Sequence, residues 1–468
     1  MCDTFVATGD STATGNVIFG KNSDREPNEA QALLRVPRAQ HNLQATPTVH
    51  ATYIAVPQVR ETYEVLLSKP FQMWGAEMGA NEFGLAIGNE ALFTRVPQPH
   101  TDDGLTGMDL IRLALERCRD AEQALELITD MIARYSQNAC GGYMDRGFYY
   151  HNSFILADPA RAFVLETAGE HWVAVKVRGY RAISNGITIE GEYDFSSPGL
   201  IDFARNKGWL KAGREFSFRE CFSDRFMTYF SRCRYRQTRS TELGQAQRGR
   251  LDVAGAFEIL RDHGEQGPAF AATERFSGPR ASMKALCVHA SGMTAPSQTT
   301  GSMVAELRAG KNQRPSTIWL TGTAAPCLGT FKPCFITGYA DANLRPSDFP
   351  QPGARQDEQS LWWRHEQIHR AALRNYAAVA HQGLAARDQL EREFLASEQQ
   401  MLASSVDATA LDRSAQLDGF SRECFAQADR LLDQWRARVA ALRLEELRGP
   451  LAPLYRRYRR KIDRAAGY

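Results

Sequence analysis

The order of hydrophobic patterns along the chain constrains its fold more than any other feature of the sequence. Short apolar or alternating runs come first, two segments of helical spacing follow, and strand-type runs then resume. The helical segments are residues 107–118 and 121–135, the second preceded by Asp120 as an N-cap with Gln123 completing a capping box. The strand-type runs are residues 3–8, 16–20, 51–56, 63–68, 153–157, 162–166, 172–177, 181–184, 284–289, 302–306, 317–321 and 331–336. This order predicts an α+β protein with sheets layered between helices.

The pattern changes twice in the second half of the chain. Residues 190–250 are basic and predicted to be loop-rich, and Asp252 then caps a predicted helix at residues 253–262. Residues 358–403 and 408–446 have helical periodicity and almost no helix breakers, which predicts two long helices packed as an antiparallel hairpin. We therefore divide the chain into a mixed domain, residues 1–345, and a helical extension packed on it, residues 355–468.

Composition argues against several classes of function. The net charge is only +2, so the whole molecule has no strong field toward nucleic acid or a membrane, and the basic run at 455–461 is typical of a solvated helix face. The sequence shows no signal peptide and no apolar run of about 18 residues. We expect a cytoplasmic protein that acts on a small molecule, without nucleic acid, membrane or cofactor, and leave a homo-oligomer open.

The nine cysteines are spread over the whole chain, their number is odd and no CxxC pair occurs. This usage argues against a disulfide framework and against a zinc ribbon. Cys287 and His289 lie two residues apart on a predicted strand and so share a face, which makes a thiol–imidazole contact conceivable. A buried structural cysteine is the commoner reason for such a pattern.

Residues 365–369 (HEQIH) match the HExxH pattern of zinc peptidases on a predicted helix, and Glu391 is a conceivable third ligand. Two features argue against a zinc-peptidase site. The second histidine is followed by the charged Arg370, and the alanine and arginine spacing of the helix is typical of a solvated hairpin. We therefore predict no metal site.

Cys2 has a chemical option that no internal cysteine has. Removal of Met1 would leave Cys2 with a free α-amino group whose reference pKa is about 7.7–8.0, so that part of it is neutral near pH 7. This amine can take the thiol proton during attack and deliver it to the leaving amine, so nucleophile and base reside in one residue. A cysteine at this position alone is weak evidence, because on position alone a chance buried cysteine is the favoured explanation.

A dense polar group at residues 20–25 (GKNSDR) ends the second predicted strand. A hairpin of this length returns that group toward the chain start. Lys21 would then place a positive charge near the thiol and favour the thiolate. Asp24 would accept a hydrogen bond from the α-ammonium group or orient the thiol. An ordinary polar turn is the alternative interpretation.

Several segments, in the same order and spacing, resemble the secernins and the related dipeptidases of peptidase family C69. They are residues 2–7 (CDTFVA), 20–25 (GKNSDR), 74–91 (WGAEMGANEFGLAIGNEA), 107–110 (GMDL), 150–154 (YHNSF), 165–169 (LETAG) and 183–185 (ISN). The resemblance covers roughly residues 2–340. It implies the four-layer αββα fold of N-terminal nucleophile hydrolases, here with a C-terminal helical hairpin.

A more distant resemblance to bile salt hydrolases and penicillin V acylases implies roles for single residues. Cys2 corresponds to the nucleophile, Asp24 to the nearby aspartate, and Asn89 and Asn185 to the two asparagines of the site. Asparagine N–H groups donate to the oxyanion of a tetrahedral intermediate. Lys21 stands where those enzymes have an arginine, and no counterpart of their second, late arginine is identified.

The sequence says less about the identity of the substrate than about the identity of the nucleophile. Trp74, Glu77 and His151 are candidates for a polar substrate pocket, in which Glu77 would suit the ammonium group of a dipeptide and Trp74 an aromatic wall. We expect hydrolysis of a small amide or dipeptide through a thioester. Two alternatives stay open: an N-acyl transferase of the same fold, or a non-catalytic, secernin-like regulatory protein.

Overall fold

The computed structural model describes residues 1–264, 281–292, 295–309, 314–338, 350–405, 408–444 and 452–468. The strands are β1 Cys2–Ala7, β2 Val17–Arg25, β3 Gln31–Val36, β4 Ala39–Gln40, β5 Thr48–His50, β6 Ala55–Pro57, β7 Glu61–Thr62, β8 Val65–Pro70, β9 Met78–Asn81, β10 Ala86–Leu92, β11 His151–Ala157, β12 Ala162–Ala168, β13 His171–Lys176, β14 Tyr180–Ile183, β15 Phe195–Ser196, β16 Gln298–Leu307, β17 Thr317–Leu320 and β18 Lys332–Phe335. The helices are α1 Gly107–Arg117, α2 Ala121–Tyr135, α3 Leu200–Asn206, α4 Phe218–Phe222, α5 Arg225–Phe230, α6 Cys233–Ala246, α7 Val253–Leu260, α8 Leu361–Ala372, α9 Tyr376–His381, α10 Leu384–Ser404, α11 Ala410–Ala440 and α12 Ala452–Ala466.

Two antiparallel sheets form the centre of the molecule. The first has six strands in the order β14-β1-β2-β16-β17-β18, and the second has eight in the order β15-β13-β12-β11-β10-β9-β8-β3. The N-terminal strand is internal to its sheet, because β14 and β2 pair with it on either side. The first residues of the chain are therefore fixed by hydrogen bonds on both edges.

Alternating side chains along the strands create three apolar layers. Val6 and Phe19 point into the layer between the two sheets, whereas the neighbouring Phe5 and Ile18 point to the opposite face of their sheet. Helix α7 and parts of α10 and α11 cover that opposite face, and α1 and α2 cover the outer face of the eight-stranded sheet. The result is the four-layer αββα, α+β fold predicted from the sequence.

Many predicted elements are confirmed. Helix α2 has the predicted bounds, and Asp120 caps it by accepting hydrogen bonds from Glu122 N and Gln123 N. Helix α7 follows its predicted cap, Asp252. Helices α10 and α11 contact each other as the predicted C-terminal hairpin.

Among the described helices, none combines the length and the hydrophobicity that a membrane span requires.

Several predictions of local structure are wrong. Of the strand predicted at 51–56, only Ala55 and Val56 lie in a strand, β6, and residues 52–54 form a bend between β5 and β6. Residues 284–289 form turns rather than a strand. The basic stretch 190–250 contains four helices, α3 to α6. The single helix predicted at 358–403 is divided into α8, α9 and α10, with Gly383 preceding α10, and a Cβ there would lie 2.0 Å from the ring of Trp435. The predicted domain boundary at residue 345 lies outside the described residues.

Candidate active site

Cys2 begins β1 opposite Ser23 of β2, and only 5% of its surface is exposed. Its Sγ accepts a hydrogen bond from Asp24 N at 3.4 Å and donates to Glu77 Oε2, also at 3.4 Å. Burial raises the pKa of this thiol to about 12, the Glu77 carboxylate adds to the rise, and the Lys21 ammonium opposes it. The thiol is therefore protonated at neutral pH, and it needs a base in order to attack.

The main-chain nitrogen of Cys2 is held by Asn185, which follows β14. Cys2 N donates to Asn185 Oδ1 at 3.0 Å, and Asn185 Nδ2 donates to Ala91 O at 3.0 Å. The Oδ1 atom also accepts from Arg236 Nη2, which fixes the orientation of the amide because both neighbours are donors. Asn185 thus presents its oxygen to the future amine of Cys2, whereas the sequence analysis expected it to serve through its N–H group.

Asp24 lies beside the same atoms. Its Oδ1 accepts from Thr299 Oγ1 at 2.6 Å, while its buried Oδ2 has no hydrogen-bond partner among the described residues. Its main-chain oxygen accepts from the Met1 α-ammonium group at 2.7 Å. Burial raises the pKa of Asp24 to about 7, and the nearby N-terminal ammonium opposes the rise. A positive charge at the chain start therefore favours the Asp24 carboxylate.

Lys21 connects the two sheets from the buried face of β2. Its Nζ donates to Asn89 O at 2.5 Å and to Glu90 Oε1 at 3.3 Å, both on β10. Gly88 makes this path possible, since a Cβ there would lie 2.4 Å from Lys21 Cδ. Lys21 lowers the pKa of Cys2 as expected, but burial outweighs it. Its clearest structural role is to anchor β10, which carries Asn89, against β2.

Asn89 lies on the strand that faces the Cys2 sheet. Its Nδ2 donates to Asn152 Oδ1 at 2.9 Å, and its main-chain N donates to Glu77 O at 3.4 Å. Asn152 in turn donates to Gln137 Oε1 at 2.9 Å. The Oδ1 of Asn89 is buried and has no partner among the described residues. The Asn89 side chain is thus held in place by a polar chain behind it, and the Asn89 main chain is hydrogen-bonded to that of Glu77, whose carboxylate contacts the thiol.

Replacing Asn89 by alanine is expected to lower kcat by about 10²–10³, the usual loss for one oxyanion donor, with a much smaller change in KM. Steady-state kinetics on a small amide would measure this. Asn89→Asp is the matched variant, because it keeps the shape and removes the N–H group. A rise in KM at unchanged kcat would assign Asn89 to substrate binding instead.

Arg236 of α6 is a site residue that the sequence analysis missed. The guanidinium group is fully buried and donates to Asp3 Oδ2 at 2.8 Å, to Asn185 Oδ1 at 2.6 Å and to Ser184 Oγ at 2.9 Å. It also donates to the main-chain oxygens of Ser231 and Met283. Five bonds use all five N–H donors of the side chain. Arg236 is therefore connected to the Cys2 nitrogen through Asn185 Oδ1, and no such arginine was identified from the sequence.

Glu77 contacts the thiol, but its other oxygen is already paired. Arg25 Nη1 lies 3.0 Å from Glu77 Oε1, and the same guanidinium group also pairs with Glu29. These side chains are nearly fully buried. Glu77 therefore contacts Cys2 and Arg25, and its binding of a substrate ammonium group stays a prediction.

Among the described residues, no hydrogen bond or ring contact joins Trp74 or His151 to the Cys2 thiol. The Trp74 ring is partly buried and covered by the Arg112 guanidinium carbon, 4.1 Å from its centroid. His151 is buried with Nδ1 2.9 Å from Thr94 Oγ1, and burial lowers its pKa to about 4. Both side chains have packing partners that account for their presence.

The HExxH segment lies on α8 within the interior. Glu391, the conceivable third ligand, accepts from Arg261 Nη2 at 2.6 Å and from Phe331 N at 2.7 Å. Glu366 Oε2 lies 3.0 Å from His369 Nδ1. Glu391 and Glu366 thus already have protein partners. These contacts argue against a metal held by the two histidines of the motif with either carboxylate.

Comparison with known proteins gives one family match and several similar structures. Residues 11–150 match the family model described as acyl-coenzyme A:6-aminopenicillanic acid acyl-transferase. The C2A mutant of conjugated bile acid hydrolase from Clostridium perfringens is 13% identical, with 68% of this chain and 88% of that chain covered and a TM-score of 0.38. Penicillin V acylase from Agrobacterium tumefaciens is 14% identical, covering 72% and 86%, with a TM-score of 0.40. The Caenorhabditis elegans ortholog of N-acylethanolamine-hydrolyzing acid amidase is 10% identical, covering 65% and 92%, with a TM-score of 0.31.

Proposed function

We propose that the chain is an N-terminal cysteine amidohydrolase that cleaves a small amide once Met1 has been removed. One observation carries the proposal: the sulfur and the nitrogen of Cys2 both lie among buried polar groups, with Sγ between Asp24 N and Glu77 Oε2 and the nitrogen on Asn185 Oδ1. Burying polar groups costs free energy that hydrogen bonds must offset, and buried titratable groups with shifted pKa values, such as Cys2 and Asp24, are concentrated at functional sites. The acyl-transferase family match over residues 11–150 supports the same acyl-group chemistry.

The reaction follows from these positions. The neutral α-amine of Cys2 takes the thiol proton as Sγ attacks the substrate carbonyl, and the oxyanion forms near Asn89. The C–N bond then breaks, the α-ammonium group returns the proton to the leaving amine, and a thioester remains on Cys2. Water, activated by the same amine, attacks the thioester and releases the acid and the thiol. Asn185 orients the amine throughout, and Asp24 stabilises its protonated form.

The space that Met1 occupies supports a finer proposal, that the substrate is a dipeptide with an apolar first residue. The Met1 side chain packs against the buried cluster of Met283, Val288 and Ala295. Its ammonium group is bound by Asp24 O at 2.7 Å. After Met1 leaves, this space offers an apolar wall and an ammonium acceptor beside the nucleophile. These are the features that recognise a free N-terminal amino acid.

Loss of Met1 is expected to accompany activity. Intact mass and N-terminal sequencing of an active preparation should show a chain that begins at Cys2, because an amide nitrogen cannot act as the base. The control is a chain with extra residues joined ahead of Met1, which should fold but remain inactive until a protease exposes Cys2. An active chain that retains an amide at Cys2 contradicts the single-residue mechanism.

Substrate preference tests the dipeptide proposal separately. Dipeptides that begin with methionine or leucine should be cleaved with kcat/KM at least about tenfold higher than those beginning with glycine, since burying such a side chain contributes about 1.5–3 kcal/mol. N-acetylation of the same dipeptides should abolish the advantage by removing the ammonium group. Val288→Asp should weaken the apolar preference. Cleavage of acetylated and free dipeptides at equal rates contradicts this substrate class but leaves the amidohydrolase proposal intact.

Acyl transfer is the second candidate, favoured by the match of residues 11–150 to an acyl-transferase family. The thioester would then be resolved by an amine instead of water. Adding an amine acceptor to the assay distinguishes the two. An acyltransferase yields the N-acylated acceptor in preference to the free acid, and a hydrolase yields the acid at an unchanged rate.

A further inference from the structure

A second cluster of reactive side chains lies in the interior, apart from the Cys2 thiol. The ligand atoms of His263, Cys287, His289 and Cys327 all lie within 4.8 Å of one another. All four side chains are buried, with 6%, 0%, 2% and 0% of their surfaces exposed. They come from separate parts of the chain: the end of α7, the turn segment 281–292 and the segment after β17. Burying two thiols and two imidazoles together in the core costs free energy unless an interaction among them offsets the loss of hydration.

The three distances from His289 Nε2 match the edges of a coordination tetrahedron. His289 Nε2 lies 3.1 Å from His263 Nε2, 3.5 Å from Cys287 Sγ and 3.6 Å from Cys327 Sγ. A tetrahedral zinc ion at about 2.3 Å from sulfur and about 2.0–2.1 Å from nitrogen separates two nitrogens by about 3.3 Å and a nitrogen from a sulfur by about 3.6 Å. One imidazole nitrogen has a single hydrogen-bonding position, so three close neighbours exceed what hydrogen bonding explains.

The hydrogen bonds behind His289 direct its Nε2 lone pair into the cluster. His369 Nδ1 lies 3.0 Å from Glu366 Oε2, and His369 Nε2 lies 2.9 Å from His289 Nδ1. Because the carboxylate only accepts, His369 carries its proton on Nδ1 and accepts at Nε2. His289 Nδ1 is then the donor, so its Nε2 is the ligand atom. A carboxylate–imidazole chain of this kind orients and strengthens metal-bound histidine.

We propose that His263, Cys287, His289 and Cys327 bind one zinc ion in a closed structural site. Four protein ligands and complete burial are typical of structural zinc, whereas catalytic sites keep an open position. Glu366 and His369 of the HExxH segment belong to this site as outer hydrogen-bonding partners and do not themselves bind the metal. The sequence spacing brings out only the pair Cys287 and His289, because His263 and Cys327 are too distant along the chain to be connected with it by spacing.

The site lies behind the proposed active centre. Cys287 N donates to Asp262 O at 3.0 Å, and Val288 N donates to Thr299 Oγ1 at 3.0 Å. Thr299 Oγ1 in turn donates to Asp24 Oδ1. The same turn segment contributes Met283 and Val288 to the wall beside Met1. Zinc would therefore fix the turn segment 281–292. This segment has no regular secondary structure, and it positions both Asp24 and the apolar wall.

Metal analysis of the purified full-length chain tests the proposal without an activity assay. We expect about one zinc per chain by elemental mass spectrometry, retained on dialysis. Growth with Co²⁺ should give the visible absorption of a tetrahedral site with sulfur-to-cobalt charge transfer, which reports thiolate ligands. A zinc-free protein with a Cys287–Cys327 disulfide, or with both thiols free, overturns the proposal.

Matched variants separate this site from its neighbours. Cys287→Ser and Cys327→Ser should lose most of the metal and the charge-transfer band, whereas Cys118→Ser, another buried cysteine, should keep both. His365→Ala should keep the zinc, and losing it would shift the assignment to the HExxH motif. Cys2→Ala should also keep the zinc, so the metal count is independent of whether the proposed hydrolase function is right.

Discussion

Replacing Cys2 by alanine is expected to abolish amide hydrolysis while the fold is kept. Removal of a hydrolase nucleophile costs on the order of 10⁶ in kcat, and none of the other eight cysteines can gain an α-amine base through removal of Met1. The fold should survive because Sγ makes only two long contacts, to Asp24 N and Glu77 Oε2 at 3.4 Å each. Cys2→Ser should retain little activity, since the hydroxyl group is a far weaker nucleophile near neutral pH.

The matched control is Cys424→Ala, another buried free cysteine, on α11. It should change turnover little. Alkylation gives a second measurement: in the mature chain Cys2 should react with iodoacetamide before the other eight cysteines, and the rate should fall when extra residues precede Met1. The reason is that the amide-linked Cys2 has a raised thiol pKa and no neighbouring amine base. Undiminished turnover by Cys2→Ala would contradict the proposed function.

The sequence predicts the N-terminal half of the site because strand pairing relates its residues directly. A hairpin from residue 2 to residue 25 sets Cys2 opposite Ser23, so Lys21 and Asp24 lie near the chain start. Asn89 and Asn185 need more than pairing, since they come from the opposite sheet and from the turn after β14. The motif resemblance locates them, whereas the distinct contact of the Asn185 oxygen appears only in three dimensions.

Arg236 and the conformation of residues 284–289 could not be predicted from the sequence. Charged residues are spread around α6, so no apolar stripe marks it as a helix. Its Arg236 forms a hydrogen bond with Asp3, which is 233 positions away in the sequence. Residues 284–289 have the apolar content of a strand, but Asp262 O and Thr299 hold them in turns. Tertiary hydrogen bonds determine both the position of Arg236 and the conformation of residues 284–289, and such bonds cannot be predicted from hydrophobic periodicity.

Arg236→Met is expected to lower the free energy of unfolding by about 3–5 kcal/mol, because it leaves the buried Asp3 carboxylate without its partner. It should also reduce turnover, since Asn185 Oδ1 loses the donor that orients it toward the Cys2 nitrogen. Arg236→Lys keeps the charge but has three donors for five acceptors, so most of the loss should remain. Urea denaturation measures the stability, and Arg234→Met, an exposed arginine on the same helix, is the control.

The pH dependence of this loss identifies its cause. Burial raises the pKa of Asp3 in the folded chain, and Arg236 opposes the rise. Without Arg236 the folded-state pKa rises further above the unfolded value of about 3.9, so folding takes up a proton that unfolding releases. The variant should therefore lose stability relative to the parent as the pH rises above the unfolded value of about 3.9, and the deficit should shrink as the pH falls toward that value. Adding Asp3→Asn to Arg236→Met should remove this pH dependence and recover part of the stability, because no buried charge is then left unpaired. A deficit that is the same at every pH, and the same with Asp3→Asn, would mean that Arg236 acts through packing alone and that its bond to Asp3 contributes little.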